Sequence, residues 1–201
     1  ESEQEDYIVE KYPKFSGITY MIAGNHDDSF YKESGFEILK NVESRREDIK
    51  YIGRQSAFIT TKAGIRIHLL HPLTKFAYAI SYHAQKIVES YVADEKPQIL
   101  LMGHKHTFGR FFLRNIHCFI VPCFQGKTLL FQKAGYTPTV GALILDLNVE
   151  RALRLLDVRA IYGCPFFQPT ACCHSSLNLP ISCSKADIFI ANIIASTVSL
   201  I

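Results

Sequence analysis

The stretch Ile18-Thr19-Tyr20-Met21-Ile22-Ala23-Gly24-Asn25-His26-Asp27 decides how this chain is read. A short apolar run stopped by glycine is a buried strand ending in a turn. Here the turn presents an amide, an imidazole and a carboxylate at the carboxyl end of the strand. Loops at that end of α/β strands converge on one sheet edge, where ligands bind. The pattern recurs twice. His71 follows Ile65-Arg66-Ile67-His68-Leu69-Leu70 and precedes Pro72, and Gly103-His104-Lys105-His106 follows Ile99-Leu100-Leu101-Met102. Three separate segments bringing Asn and His to one edge is what a metal site requires, because imidazole and amide oxygen suit divalent transition metals.

Working outward, Glu1 to Lys14 reads as the end of a helix running into a loop at Pro13, and Phe30 to Val42 reads as a helix. Ala57-Phe58-Ile59-Thr60 and Ile65 to Leu70 are strands joined by Thr61-Lys62-Ala63-Gly64, a hairpin signal, and Pro72 ends the second. Ile80, Ala84, Ile87, Val88 and Tyr91 fall at helical spacing with one buried face between about Ala77 and Val92. Pro97 and the strand Ile99–Met102 follow, then strands at Phe111–Leu113, Cys118–Val121 and Ala142–Leu147. The order predicts an α/β fold with a mixed sheet.

Length and composition agree. The 201 residues suffice for one domain, and 48% hydrophobic with 20% charged residues is globular composition. A net charge of +3 excludes an argument for nucleic acid or membrane from charge alone. Only four of the 22 basic and two of the 19 acidic side chains lie after Glu150, leaving 18 and 17 in residues 1–150, so no basic groove for a nuclease is indicated. Four of the six cysteines also lie after Glu150, while Cys118 and Cys123 before it suit no disulfide framework, which favours a cytoplasmic setting. The longest apolar run, Ile188 to Ile201, is shorter than a membrane span.

Spacing narrows the candidates. In an extended backbone His104 and His106 face the same way and Lys105 the other. His68 and His71 are an odd number of residues apart on one strand, so they face opposite sides and only one serves as a ligand; His71, at the strand end, is preferred. Asp27 either orients His26 or caps the following helix, and Asp28 belongs to the helix start. His83 and His117 read as ordinary helix-surface and strand residues. Gly126-Lys127-Thr128 is no phosphate-binding loop, since that motif needs glycine where this chain has Val121. Phe124 and Gln125, just after a strand, are candidates to contact substrate.

Gly-Asn-His-Asp, a later lone His and Gly-His-x-His, in this order, resemble the C-terminal half of the calcineurin-like metallophosphoesterase signature, over about Tyr7 to Leu147. The resemblance implies a mixed β-sandwich flanked by helices and incomplete at its N-terminus. It implies a hydrolase of phosphomonoesters or phosphodiesters, such as nucleotides or nucleic acid, acting through a hydroxide activated by two divalent ions (Mn, Fe, Zn or Ni). Asn25, His71 and His104 would bind one ion and His106 the other; His26 would protonate the leaving oxygen or steady charge on the phosphoryl group. The family's upstream Asp-x-His and Gly-Asp-x-x-Asp are not found before Gly24, so residues 1–150 are read as the C-terminal portion of such a domain, with little activity alone. A non-catalytic relative of the same fold, such as an accessory subunit in DNA replication, is the alternative. Residues 151–201, rich in Cys, Ser and Ile, are read as an atypical tail, disordered or out of frame. Within it Cys172, Cys173, His174 and Cys183 lack zinc-site spacing.

Overall fold

Ile99-Leu100-Leu101-Met102 has no polar side chain to turn toward water, and all four residues are buried. Parallel strands covered on both faces have this composition. This strand is β5 (Ile99–Met102) of the computed structural model, which describes residues 2–14, 17–74, 77–133, 135–147 and 187–191. Around it lie β3 (Ser56–Thr60), β4 (Arg66–Leu70), β6 (Gly109–Leu113) and β7 (Ile116–Ile120), in the order β3-β4-β5-β7-β6. β4, β5 and β7 run parallel, and β3 and β6 close the edges antiparallel. The register sets Leu70 beside Met102 and Met102 beside Ile120, so the carboxyl ends of three strands are level.

Side chains alternate across these strands. Leu100, Met102, Cys118 and Ile120 form one face, against which α4 (Tyr82–Ser90) lays Ala84 and Val88. Ile67, Leu69, Ile99, Leu101 and Phe119 occupy the other face, each at most 5% exposed. A second core gathers Met21 and Ala23 of β1 (Thr19–Ala23), Ile49 of β2 (Ile49–Arg54), and Ile38, Leu39 and Val42 of α3 (Ile38–Arg45). β1 and β2 pair in parallel with a register shift between Met21 and Ile22. α1 (Ser2–Lys11) is tied to α3 by Arg45, which donates to Glu5 at 2.8 Å and to Asp6 at 2.7 Å. Buried Arg46 pairs with Asp48 and donates to the Tyr12 carbonyl at 2.7 Å.

The described residues form two compact units: residues up to Lys105 with Gly109–Ile120, and His106–Phe108 with those from Val121 onward. In the second unit α5 (Leu129–Lys133) precedes β8 (Leu143–Leu147), which pairs antiparallel with β9 (Asp187–Ala191). The fold class is the expected one, α/β with a mixed sheet flanked by helices. Details differ, the unexpected α5 among them. The helix expected from Phe30 to Val42 is two helices, α2 (Asn25–Ser34) and α3, because Gly35 takes a left-handed φ of 71° and stops the first. β2 was not expected from the sequence. β9 lies in the stretch for which no strand was expected; the rest of residues 151–201, including Cys172, Cys173, His174 and Cys183, lies outside the described residues. Among the described residues, no helix is long and apolar enough to cross a membrane.

Candidate metal centre

The three loops meet through backbone hydrogen bonds at the strand ends. Gln55, between β2 and β3, donates its N–H to the carbonyl of Ala23, the last residue of β1, at 2.8 Å. Its own carbonyl accepts the N–H of His71, one residue past β4, at 2.7 Å. Gly103, one residue past β5, donates to the carbonyl of Leu70 at 2.9 Å. Gly24, His71 and Gly103 are thereby held together although they are far apart in sequence.

These bonds bring three polar atoms to one point. His71 Nε2 lies 2.8 Å from Asn25 Oδ1 and 3.1 Å from His104 Nδ1. The two imidazoles meet edge to face with ring centres 4.8 Å apart, and His71 is 2% exposed. The amide oxygen only accepts, so the contact with Asn25 calls for a proton on His71 Nε2, and His104 Nδ1 meets the same nitrogen as a second lone pair or a second N–H. One cation would satisfy all three lone pairs together. Two nitrogens bound to one ion at about 2.1 Å lie roughly 3.0–3.4 Å apart for octahedral to tetrahedral angles, and the 3.1 Å separation falls in this range. The donors thus fit part of a coordination sphere for a divalent transition metal.

Local sequence explains each position. Gly24 has ordinary extended torsions, φ −91° and ψ −173°, so it is required by space and not by backbone freedom. A Cβ there would lie 2.9 Å from Cε1 and 3.1 Å from Nε2 of His71. Asp27, three residues into the start of α2, accepts the N–H of the N-cap residue Gly24 at 2.8 Å, which realises its capping role. Burial raises the Asp27 pKa, and the Gly24 N–H opposes that shift. Asp28 is buried and accepts from Arg54 Nε at 2.8 Å and from the Gln55 side-chain amide. His26, beside Asn25 in the first turn of α2, is exposed.

The loop carrying His104 corrects the extended reading. His104 has φ 71°, His106 has φ 50°, and the Lys105 N–H returns to the Gly103 carbonyl at 2.9 Å. His104 is therefore the centre of a tight turn of the rare positive-φ form, and such strain persists only where its surroundings fix it. Lys105 is 5% exposed and donates its ammonium to the Thr74 carbonyl, an anchor that an outward-facing lysine would not make. His106 belongs to the second unit, where its carbonyl accepts Thr139 N–H at 2.8 Å and its ring lies 5.2 Å from Phe131. Phe124, 48% exposed, and Gln125, whose carbonyl accepts the Cys123 thiol at 3.4 Å, are in that unit too.

His68 has a separate set of partners from His71. Its Nε2 bonds Ser56 Oγ at 2.8 Å, its Nδ1 bonds the Tyr91 hydroxyl, and its ring stacks on Phe58 at 4.2 Å. Burial, with Arg66 nearby, lowers its pKa to about 4, so it is a neutral core histidine. Gln55 is the residue that sequence reading missed. Its signal was faint: Gly53-Arg54-Gln55-Ser56 is a polar break between two half-buried strands, one of which went unseen.

No protein-family model matches the chain, and no curated protein matches it. Among solved structures, a Thermotoga maritima protein determined by NMR is 14% identical, with 62% of this chain and 71% of that one covered at a TM-score of 0.36. A single-residue variant of Vps29 from Entamoeba histolytica is 14% identical, with 74% and 77% covered at a TM-score of 0.40.

Proposed function

We propose that this chain is part of a metal-dependent phosphoesterase, and that Asn25, His71 and His104 hold one divalent ion while His106 serves a second. The carrying observation is the convergence of Asn25 Oδ1, His71 Nε2 and His104 Nδ1 from three strand ends. Divalent ions bound there supply Lewis-acid polarisation of a phosphoryl oxygen and lower the pKa of a water nucleophile. His26, exposed in the first turn of α2, protonates the leaving oxygen or steadies charge on phosphorus. The substrate is a phosphomonoester or phosphodiester, with a nucleotide or nucleic acid as the biological candidate and Phe124 and Gln125 as contact residues.

A second reading, a non-catalytic protein of the same architecture, is favoured by the neutrality of the donor set. Among the described residues no three His, Cys, Asp or Glu side chains form a group that could hold a metal ion, and a two-metal site needs carboxylates to bridge and balance its ions. Elemental analysis combined with hydrolysis of bis(p-nitrophenyl) phosphate separates the readings. For the complete protein, with its upstream portion, the enzyme reading expects Mn²⁺-dependent turnover that His26→Ala lowers by about two orders of magnitude with metal content unchanged. Metal loss in His26→Ala would remove it from the catalytic role. Bound metal with no turnover in the complete protein would install the non-catalytic reading.

A further inference from the structure

We infer that Gln55 is a positioning residue for the candidate metal centre, acting through a clasp that sets Asn25 against His71. This deepens the metal-binding reading and rests on it for its purpose, but the clasp itself is a matter of geometry. Gln55 makes contacts in three directions. Its N–H binds the carbonyl at the end of β1, its carbonyl binds His71 N–H just past β4, and its side-chain amide binds the carboxylate of Asp28 in the first turn of α2. Asn25 leads that same turn, so one residue fixes both the backbone that carries His71 and the helix that carries Asn25.

The conformation of Gln55 has a cost that its neighbours must offset. Its φ is 61°, a left-handed value that a glutamine seldom adopts. Strain of this kind persists where several contacts over-determine it, and it gathers at functional sites. The contacts here are strong ones. The Asp28 carboxylate is 6% exposed, and Arg54 also holds it, at 2.8 Å. A hydrogen bond to a buried carboxylate is charge-assisted and fixes the amide firmly. Gly53 assists: at φ 156° it passes so close to the Ser56 carbonyl that a Cβ would lie 2.9 Å from that oxygen, which keeps the turn around Gln55 tight. The clasp explains why His71 Nε2 and Asn25 Oδ1, on segments 46 residues apart, meet at 2.8 Å.

The test reads the imidazole itself. In metal-free protein, at a pH well above the ordinary imidazole value, ¹⁵N NMR of the histidine side chains should show His71 in one fixed tautomer, protonated at Nε2. Gln55→Ala should turn this into an averaged signal and weaken Co²⁺ binding by about tenfold. Phe119→Leu, a change in the sheet core, is the control for lost stability and should leave the His71 signal as it was. An unchanged His71 signal in Gln55→Ala overturns the inference, and so does an equal change in Phe119→Leu. If Gln55→Ala fails to fold, Gln55→Glu sets a carboxylate against Asp28 without shortening the side chain, and the same signals are read with the same expectation. Absence of Co²⁺ binding by the parent chain would sink the metal reading alone, because the tautomer result judges the clasp without metal.

Discussion

The middle and the end of β4 carry two buried histidines with opposite characters. His68 lies within the strand, stacked on Phe58 and bonded to the hydroxyls of Ser56 and Tyr91. His71 lies just beyond the strand, facing an amide oxygen and a second imidazole. The two are 6% and 2% exposed, so burial does not distinguish them. Their partners do. Hydroxyls donate or accept as needed and leave each His68 nitrogen with one partner in line. At His71 an amide oxygen and a second imidazole meet one ring nitrogen, and a cation bound there would satisfy all three. A buried histidine is a core residue when its neighbours can adapt to it, and a candidate ligand when they converge on it without adapting.

The sharpest way to break this contrast is to remove each ring in turn. His71→Ala should weaken Mn²⁺ or Co²⁺ binding by about a hundredfold, roughly 2.7 kcal/mol, whereas His68→Ala should leave affinity within about threefold while lowering stability. Isothermal titration beside thermal unfolding checks both. Equal affinity losses in the two variants would erase the distinction.

Gly24→Ala should come next in size. The new Cβ meets the His71 ring, which is locked by neighbours on both sides, so a stability loss of about 1–3 kcal/mol is expected with a weaker metal site. Denaturant unfolding and the same titration measure it; full stability would mean that the ring has room to move.

A further difference between the two histidines is a pH dependence belonging to His68. Its folded pKa, about 4, lies below the 6.5 of the unfolded chain, so the unfolded state takes up the proton first. The stability that His68 contributes is complete above pH 6.5 and falls as pH drops toward 4, by at most about 1.4 kcal/mol per pH unit. His68→Gln should flatten that part of the stability profile. An identical slope in the variant would show that other groups titrate there.

Much of this was legible in the sequence for specific reasons. The apolar run Ile99–Met102 announced a fully buried strand, and the two histidines at odd spacing, His68 and His71, do have separate sets of partners. The three polar loops were readable because each follows an apolar strand. The turn at His104 was not, because the contacts that flank it, Gly103 N–H to the Leu70 carbonyl and the Lys105 ammonium to the Thr74 carbonyl, join residues distant in sequence. Gln55 was hidden for the same reason: its role lies in bonds to Ala23, Asp28 and His71, and no local pattern encodes them. β2 was overlooked because the apolar alternation of Ile49-Lys50-Tyr51-Ile52 is broken early by Gly53.

X-ray absorption of the chain loaded with one equivalent of Co²⁺ tests the central claim most directly. The account predicts two imidazole nitrogens at about 2.1 Å, one of them lost in His71→Ala and one in His104→Ala. A spectrum with no imidazole ligand, or one unchanged by both substitutions, would contradict it.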